Sequence, residues 1–122
     1  MKRILIVDDE KEIGELIKKK LEQNKYEAKT ALSGKEALDI CKSTKLDLVL
    51  LDIAMPDMDG YQFCEQLRGD AEIKNIPILF LTGKEFDPKG IIKRYKELGA
   101  CGYIAKPSTF EDLLEKIKEV IG

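Results

Sequence analysis

Short apolar runs alternate with longer stretches of helical periodicity along this chain. Residues 2–7 carry the unbroken run Ile4-Leu-Ile-Val7, which predicts a buried strand. Residues 10–23 follow as a helix, with Ile13, Leu16, Ile17 and Leu21 as its apolar stripe. Gly14 interrupts that helix at about 1 kcal/mol relative to alanine. Residues 26–31 give a second strand of mixed pattern, suited to a sheet edge. Ser33 then caps a second helix, with Glu36 in capping-box position and Ala37, Leu38 and Cys41 directed inward. Residues 47–51 are apolar on both faces and predict a central third strand. A loop over 53–60, punctuated by Pro56 and Gly60, leads to a short helix over 61–68 that Gly69 ends.

The second half continues the alternation. Residues 77–81 form a fourth apolar strand ending at Thr82. Pro88 marks the first turn of a fourth helix whose Ile91, Ile92, Tyr95 and Leu98 recur at helical spacing, and Gly99 closes it. Residues 102–105 form a short fifth strand. Past Lys106-Pro107, a Ser-Thr start opens the last helix, with the stripe Phe110, Leu113, Leu114, Ile117, Val120 and Ile121. This order predicts an α/β fold: a parallel sheet reached by right-handed crossovers and covered by helices on both faces. No linker, repeat or low-complexity tract divides residues 1–122, which read as one domain with no output domain in this chain.

Composition narrows the function. The chain is 43% hydrophobic and 36% charged, with a net charge of -2, so it is a folded, soluble type with no basic footprint for nucleic acid or an anionic membrane. No apolar run approaches the roughly 20 residues of a membrane span, and the N-terminal run is too short for a signal peptide. The three cysteines, Cys41, Cys64 and Cys101, are far apart within apolar patterns and read as buried free thiols in a reducing cytosol. With no C-x-x-C pair and no histidine, a zinc site is disfavoured, histidine-dependent nucleophilic catalysis is excluded, and any phosphohistidine donor is another molecule.

The candidate chemistry lies at strand ends. Asp8 and Asp9 follow the first strand, Asp52 closes the third, Thr82 ends the fourth, and Lys106 lies just past the fifth. Carboxyl ends of parallel strands are where open α/β sheets hold their sites. If the strands are neighbours, three carboxylates crowd one spot and call for a cation, and hard oxygen ligands suit Mg²⁺. Asp52, apart from the acidic pair, is the nucleophile candidate for an aspartyl phosphate, with Lys106 and the Thr82 hydroxyl available to the phosphoryl oxygens. Taken singly, Asp8 also reads as a helix cap, Thr82 as a strand-end hydroxyl, Lys106 as a turn lysine and Tyr103 as a core aromatic. Asp57 and Asp59 read as turn acids.

Four segments together carry a resemblance: Ile4-Leu-Ile-Val-Asp-Asp-Glu10, Leu51-Asp-Ile-Ala-Met-Pro-Asp-Met-Asp-Gly60, Leu81-Thr82 and Gly102-Tyr-Ile-Ala-Lys-Pro107. In order and spacing they resemble the receiver domain of two-component response regulators, of the chemotaxis-regulator type. The resemblance implies a flavodoxin-like, doubly wound, five-stranded parallel sheet of order 2-1-3-4-5. It implies Mg²⁺-dependent phosphotransfer to Asp52 from a sensor histidine kinase or phosphotransfer protein. Asp8, Asp9 and Asp52 would bind the metal with the backbone carbonyl of Ala54, and Lys106 would pair with the phosphoryl group. Thr82 and Tyr103 would form a switch, the hydroxyl moving to the phosphate and the ring turning into the space it leaves. The Lys106–Pro107 bond would be cis. The face of the fourth helix, fifth strand and last helix would then control a downstream protein target. A cytoplasmic protein, monomeric or dimerising on phosphorylation, fits this picture, with no membrane insertion and no direct contact with nucleic acid.

Some positions bear on detail. Ala54 and Lys84 stand where the family tunes phosphoryl lifetime, and the small Gly83 leaves access to Asp52 open. Alternatives remain within the family and outside it. The chain also reads as the receiver of a longer regulator with a DNA-binding or enzymatic output. An aspartyl-phosphate phosphatase or phosphotransferase is disfavoured, because Ala54 stands where such enzymes carry a second aspartate. A flavin carrier is disfavoured because Asp8-Asp9-Glu10 would repel its phosphate.

Overall fold

A computed structural model of the 122-residue chain describes residues 1–52, 60–73, 75–82, 102–105 and 109–122. Five strands, β1 (Arg3–Val7), β2 (Glu27–Ala31), β3 (Leu48–Asp52), β4 (Ile78–Thr82) and β5 (Gly102–Ala105), form one parallel sheet in the order β2-β1-β3-β4-β5. Helices α1 (Lys11–Gln23), α2 (Gly34–Ser43), α3 (Gly60–Arg68) and the C-terminal helix (Phe110–Ile121) cover it. The flavodoxin-like order expected from the resemblance is the observed one. β2 is an edge strand and β3 the central one, as their patterns predict. The expected loop over 53–60 lies outside the described residues up to Gly60. So do the expected fourth helix, Cys101 and the Lys106–Pro107 bond.

Alternation along β1 explains the two layers. Leu5 and Val7 face one way and pack with Ala37 and Cys41 of α2 and Phe63, Cys64 and Leu67 of α3. Ile4 and Ile6 face the other way and pack with Leu21 of α1 and Leu113 and Ile117 of the C-terminal helix. β1 and β3 contribute fully buried residues to both clusters, which is why their sequences are continuous apolar runs. Lys20 of α1 also lies 5.4 Å from the centre of the Phe110 ring, a cation–π contact between the two helices of the second layer.

The ends of the helices follow their sequences closely. Ser33 caps α2 by accepting the Glu36 amide at 3.2 Å, and Thr109 caps the C-terminal helix by accepting the Asp112 amide at 3.1 Å. The end of α1 was less legible. Lys25, with φ 69°, occupies the left-handed region. Its amide donates to the Glu22 carbonyl at 3.3 Å, and the Tyr26 amide donates to Leu21 at 3.1 Å. This is a Schellman closure with Tyr26 and Leu21 buried together in the core, built without the usual glycine.

One expectation for α1 needs correction. Leu16, assigned to the inward stripe, is 54% exposed. The inward line instead runs through Gly14, half-buried Ile17 and Leu21, so Gly14 takes a core position. A β-carbon there would stand 3.6 Å from Thr30 Cγ2, an ordinary contact that lets α1 lie close on β2. The alternative reading of Asp8 as the cap of α1 is not the one observed: Glu10 is the capping residue, and its side chain makes no capping bond.

Three outcomes follow from this packing. Lys25→Gly is expected to stabilise the fold by about 1 kcal/mol, by removing the cost of a left-handed lysine; an unchanged urea midpoint would refute this. Gly14→Ala is expected to gain up to about 1 kcal/mol of helix propensity, because the added methyl meets only van der Waals contact. A loss of stability in thermal melts would show that the close approach of α1 needs glycine. Burial pushes the Cys41 thiol up to about 11 and the Cys64 thiol up to about 12. Both should resist alkylation at about pH 8 in the native protein and react on unfolding, as read by peptide mapping at each cysteine.

Candidate functional site

The site is built by strand register. Val7 is level with Leu51 across β1 and β3, and Asp52 is level with Leu81 across β3 and β4. The residues after Val7 and Leu51 therefore emerge side by side at the carboxyl edge. Asp8, Asp9 and Asp52 each bring a carboxylate oxygen there, and these oxygens lie within 4.8 Å of one another. The three aspartates predicted to converge do so.

They are not equivalent. Asp8 is 1% exposed, Asp52 is half-buried and Asp9 is exposed. A buried carboxylate needs hydrogen-bond donors. Asp8 Oδ1 accepts the Glu10 amide at 2.9 Å, which fixes the turn between β1 and α1. The Asp8 amide donates to the Ala31 carbonyl at 3.1 Å, which ties the same turn to the end of β2. Sequence reasoning missed Ala31, since a backbone carbonyl leaves no residue-type signal.

The other predicted residues are placed in part. Thr82 ends β4 one step past the level of Asp52 and is level with Ala105 of β5. Tyr103 lies on β5, level with Phe80. For Thr82 and Tyr103 the description is of the backbone. Ala54, Gly83, Lys84, Asp57, Asp59 and Lys106 lie outside the described residues. Lys106 directly follows Ala105, the residue that the register sets beside Thr82.

Chemically, the cluster is a set of hard oxygen donors with unequal access to solvent. Like charges this close repel, and a divalent cation that takes oxygen ligands removes the repulsion. Two grooves among the described residues, of about 300 and 590 Å³, lie elsewhere: they are lined by residues at or just before strand starts, such as Arg3, Ile4, Leu46, Asp47 and Pro77. Neither includes the three acids. Among the described residues, no helix is long and apolar enough to cross a membrane.

Comparison with known proteins agrees with this geometry. The sequence pattern of the response regulator receiver domain matches residues 4–118. The response regulator MprA of Mycolicibacterium vanbaalenii is 36% identical over 121 residues, which is 98% of this chain and 50% of that protein. The alkaline phosphatase synthesis transcriptional regulatory protein PhoP of Bacillus subtilis is 37% identical over 120 residues, 98% of this chain and 48% of that protein. The chain thus spans about half the length of the curated relatives it matches. The chemotaxis protein CheY4 of Vibrio cholerae superposes with a TM-score of 0.90 at 33% identity, over 98% of each chain. By sequence pattern, relatives and fold, the chain belongs to the response regulator receiver domain family of two-component signalling.

Proposed function

We propose that this chain is a phosphorylation-controlled signalling switch whose phosphoacceptor is Asp52. The observation that carries the reading is the convergence of three carboxylates, from the ends of β1 and β3, within 4.8 Å. Their hard oxygens and high charge density fit Mg²⁺, held by Asp8, Asp9 and Asp52 with the Ala54 carbonyl. When bound, the ion compensates the acids and polarises phosphoryl oxygens.

The residues divide the remaining work. Asp8, buried and bonded to the Glu10 amide, holds its place and leaves the reaction to its neighbours. Asp52 sits on the central strand and is half-accessible, so a donor in solution reaches it. An oxygen of Asp52 attacks phosphorus. The new O–P bond forms as the P–N bond of a partner's phosphohistidine breaks, and the electron pair leaves with the imidazole nitrogen. Lys106 and the Thr82 hydroxyl take the phosphoryl oxygens, and the movement of Thr82 admits Tyr103 inward. The protein assists its own phosphorylation and dephosphorylation without turning over a separate substrate. The donor is a sensor histidine kinase or a phosphotransfer protein. The chain acts in the cytoplasm, and its reader is a protein that meets the face of the fourth helix, β5 and the C-terminal helix, with dimerisation on phosphorylation as one form of output. A second reading, a receiver joined to an output domain, is favoured by the half-length match to its curated relatives.

Intact mass spectrometry after incubation with a small phosphoryl donor tests the main reading. One phosphoryl adduct is expected with Mg²⁺, and none in its absence or in Asp52→Asn. An adduct that persists in Asp52→Asn would assign the acceptor elsewhere. The charge crowding makes its own prediction. In a chelator, Asp9→Asn is expected to raise Tm by a few degrees, the shift that about 1 kcal/mol of relieved repulsion gives a small domain. Millimolar Mg²⁺ should raise the Tm of the unsubstituted protein more than that of Asp9→Asn. Equal responses would remove Asp9 from the metal site.

A further inference from the structure

The amide of Asp8 is held by one peptide group, and that group is held again from its other side. Its carbonyl, that of Ala31, accepts the Asp8 N–H at 3.1 Å. Its N–H, that of Leu32, donates to Glu36 Oε2 at 3.1 Å. A peptide is a planar, stiff unit, so fixing its N–H fixes the direction of its carbonyl. An anionic acceptor on the N–H also polarises the group and strengthens the carbonyl as an acceptor. Glu36 is itself set by the start of α2, because its amide donates to Ser33 Oγ at 3.2 Å.

From this relay we infer that Glu36 is a positioning residue for the metal-binding turn. It orients the 31–32 peptide, the peptide sets the Asp8 backbone, and the Asp8 backbone sets the buried carboxylate of the acid cluster. The capping box of α2 therefore has a second role at the carboxyl edge of β1, beyond starting its own helix. A glutamate three residues past a serine cap is otherwise fully explained by helix initiation. What distinguishes Glu36 is that its carboxylate reaches Leu32, whose peptide carbonyl is already committed to Asp8. Groups that hold metal ligands from behind commonly change metal affinity when removed.

This rests on the reading of the acids as a Mg²⁺ site, and the test separates the two. Mg²⁺ alone is titrated into the unsubstituted chain, Glu36→Ala, Glu36→Gln and Thr109→Ala, and followed by amide chemical shifts. Exchange of the Asp8 amide is measured without metal. Glu36→Ala is expected to weaken Mg²⁺ about tenfold and to speed exchange at Asp8. Glu36→Gln keeps an oxygen acceptor and should restore most of both. Thr109→Ala removes the cap of the C-terminal helix and should lower Tm with Mg²⁺ affinity unchanged.

If the unsubstituted chain binds Mg²⁺ and Glu36→Ala binds it equally well, the positioning role is wrong and the metal site stands. If Thr109→Ala weakens Mg²⁺ as much as Glu36→Ala, general destabilisation explains the loss and the relay is overturned. If Glu36→Gln behaves as Glu36→Ala, an oxygen acceptor on the Leu32 N–H does not support the turn, and the relay is overturned. If the unsubstituted chain binds no Mg²⁺, the metal reading itself fails, and the inference with it.

Discussion

The structure depends on the pairing of β1 with β3, which forces three carboxylates together against their mutual repulsion. Nothing local favours that arrangement. It holds because Ile4, Leu5, Ile6 and Val7 of one strand and Leu48, Val49, Leu50 and Leu51 of the other are fully buried, on both faces of the sheet. Burying a side chain of this size contributes on the order of 1.5–3 kcal/mol. Eight of them outweigh the like-charge contacts at the strand ends, each on the order of 1 kcal/mol in water. A one-residue slip of this register would also turn every side chain to the wrong face. The apolar core thus fixes the spacing of the acids as a by-product of its own packing.

That dependence explains what the sequence could disclose. Fully apolar strands, the cap Ser33, the Ser-Thr start of the last helix and acids at strand ends are local signals, and all were legible. The adjacency of β1 and β3 is not local, since either could pair with any strand; it came from the resemblance to receiver domains. Leu16 was misplaced because a helical stripe has two edges, and only the position of β2 decides that Gly14 lies inward. The closure at Lys25 was hidden because a lysine gives no sign of a left-handed turn. Ala31 and the 31–32 peptide were invisible for a deeper reason. Their contribution is made by backbone groups that every residue carries.

The acids differ in access because they differ in backbone attachment. Asp8 follows a strand that is flanked on both sides, and the turn it starts is bonded to β2 through Ala31 and to Glu10 through its own carboxylate. Asp9, one residue on, faces solvent. Asp52 is the last residue of its strand, level with Leu81 of β4 and one step past the Val7–Leu51 pair, and keeps partial exposure. A phosphoryl acceptor needs this combination: a rigid backbone for alignment with the donor, and an open side for its approach. Asp8 has the rigidity without the access, and Asp9 the access without a strand beneath it. Of the three, Asp52 alone has both, which argues for it as the acceptor on grounds independent of any relative.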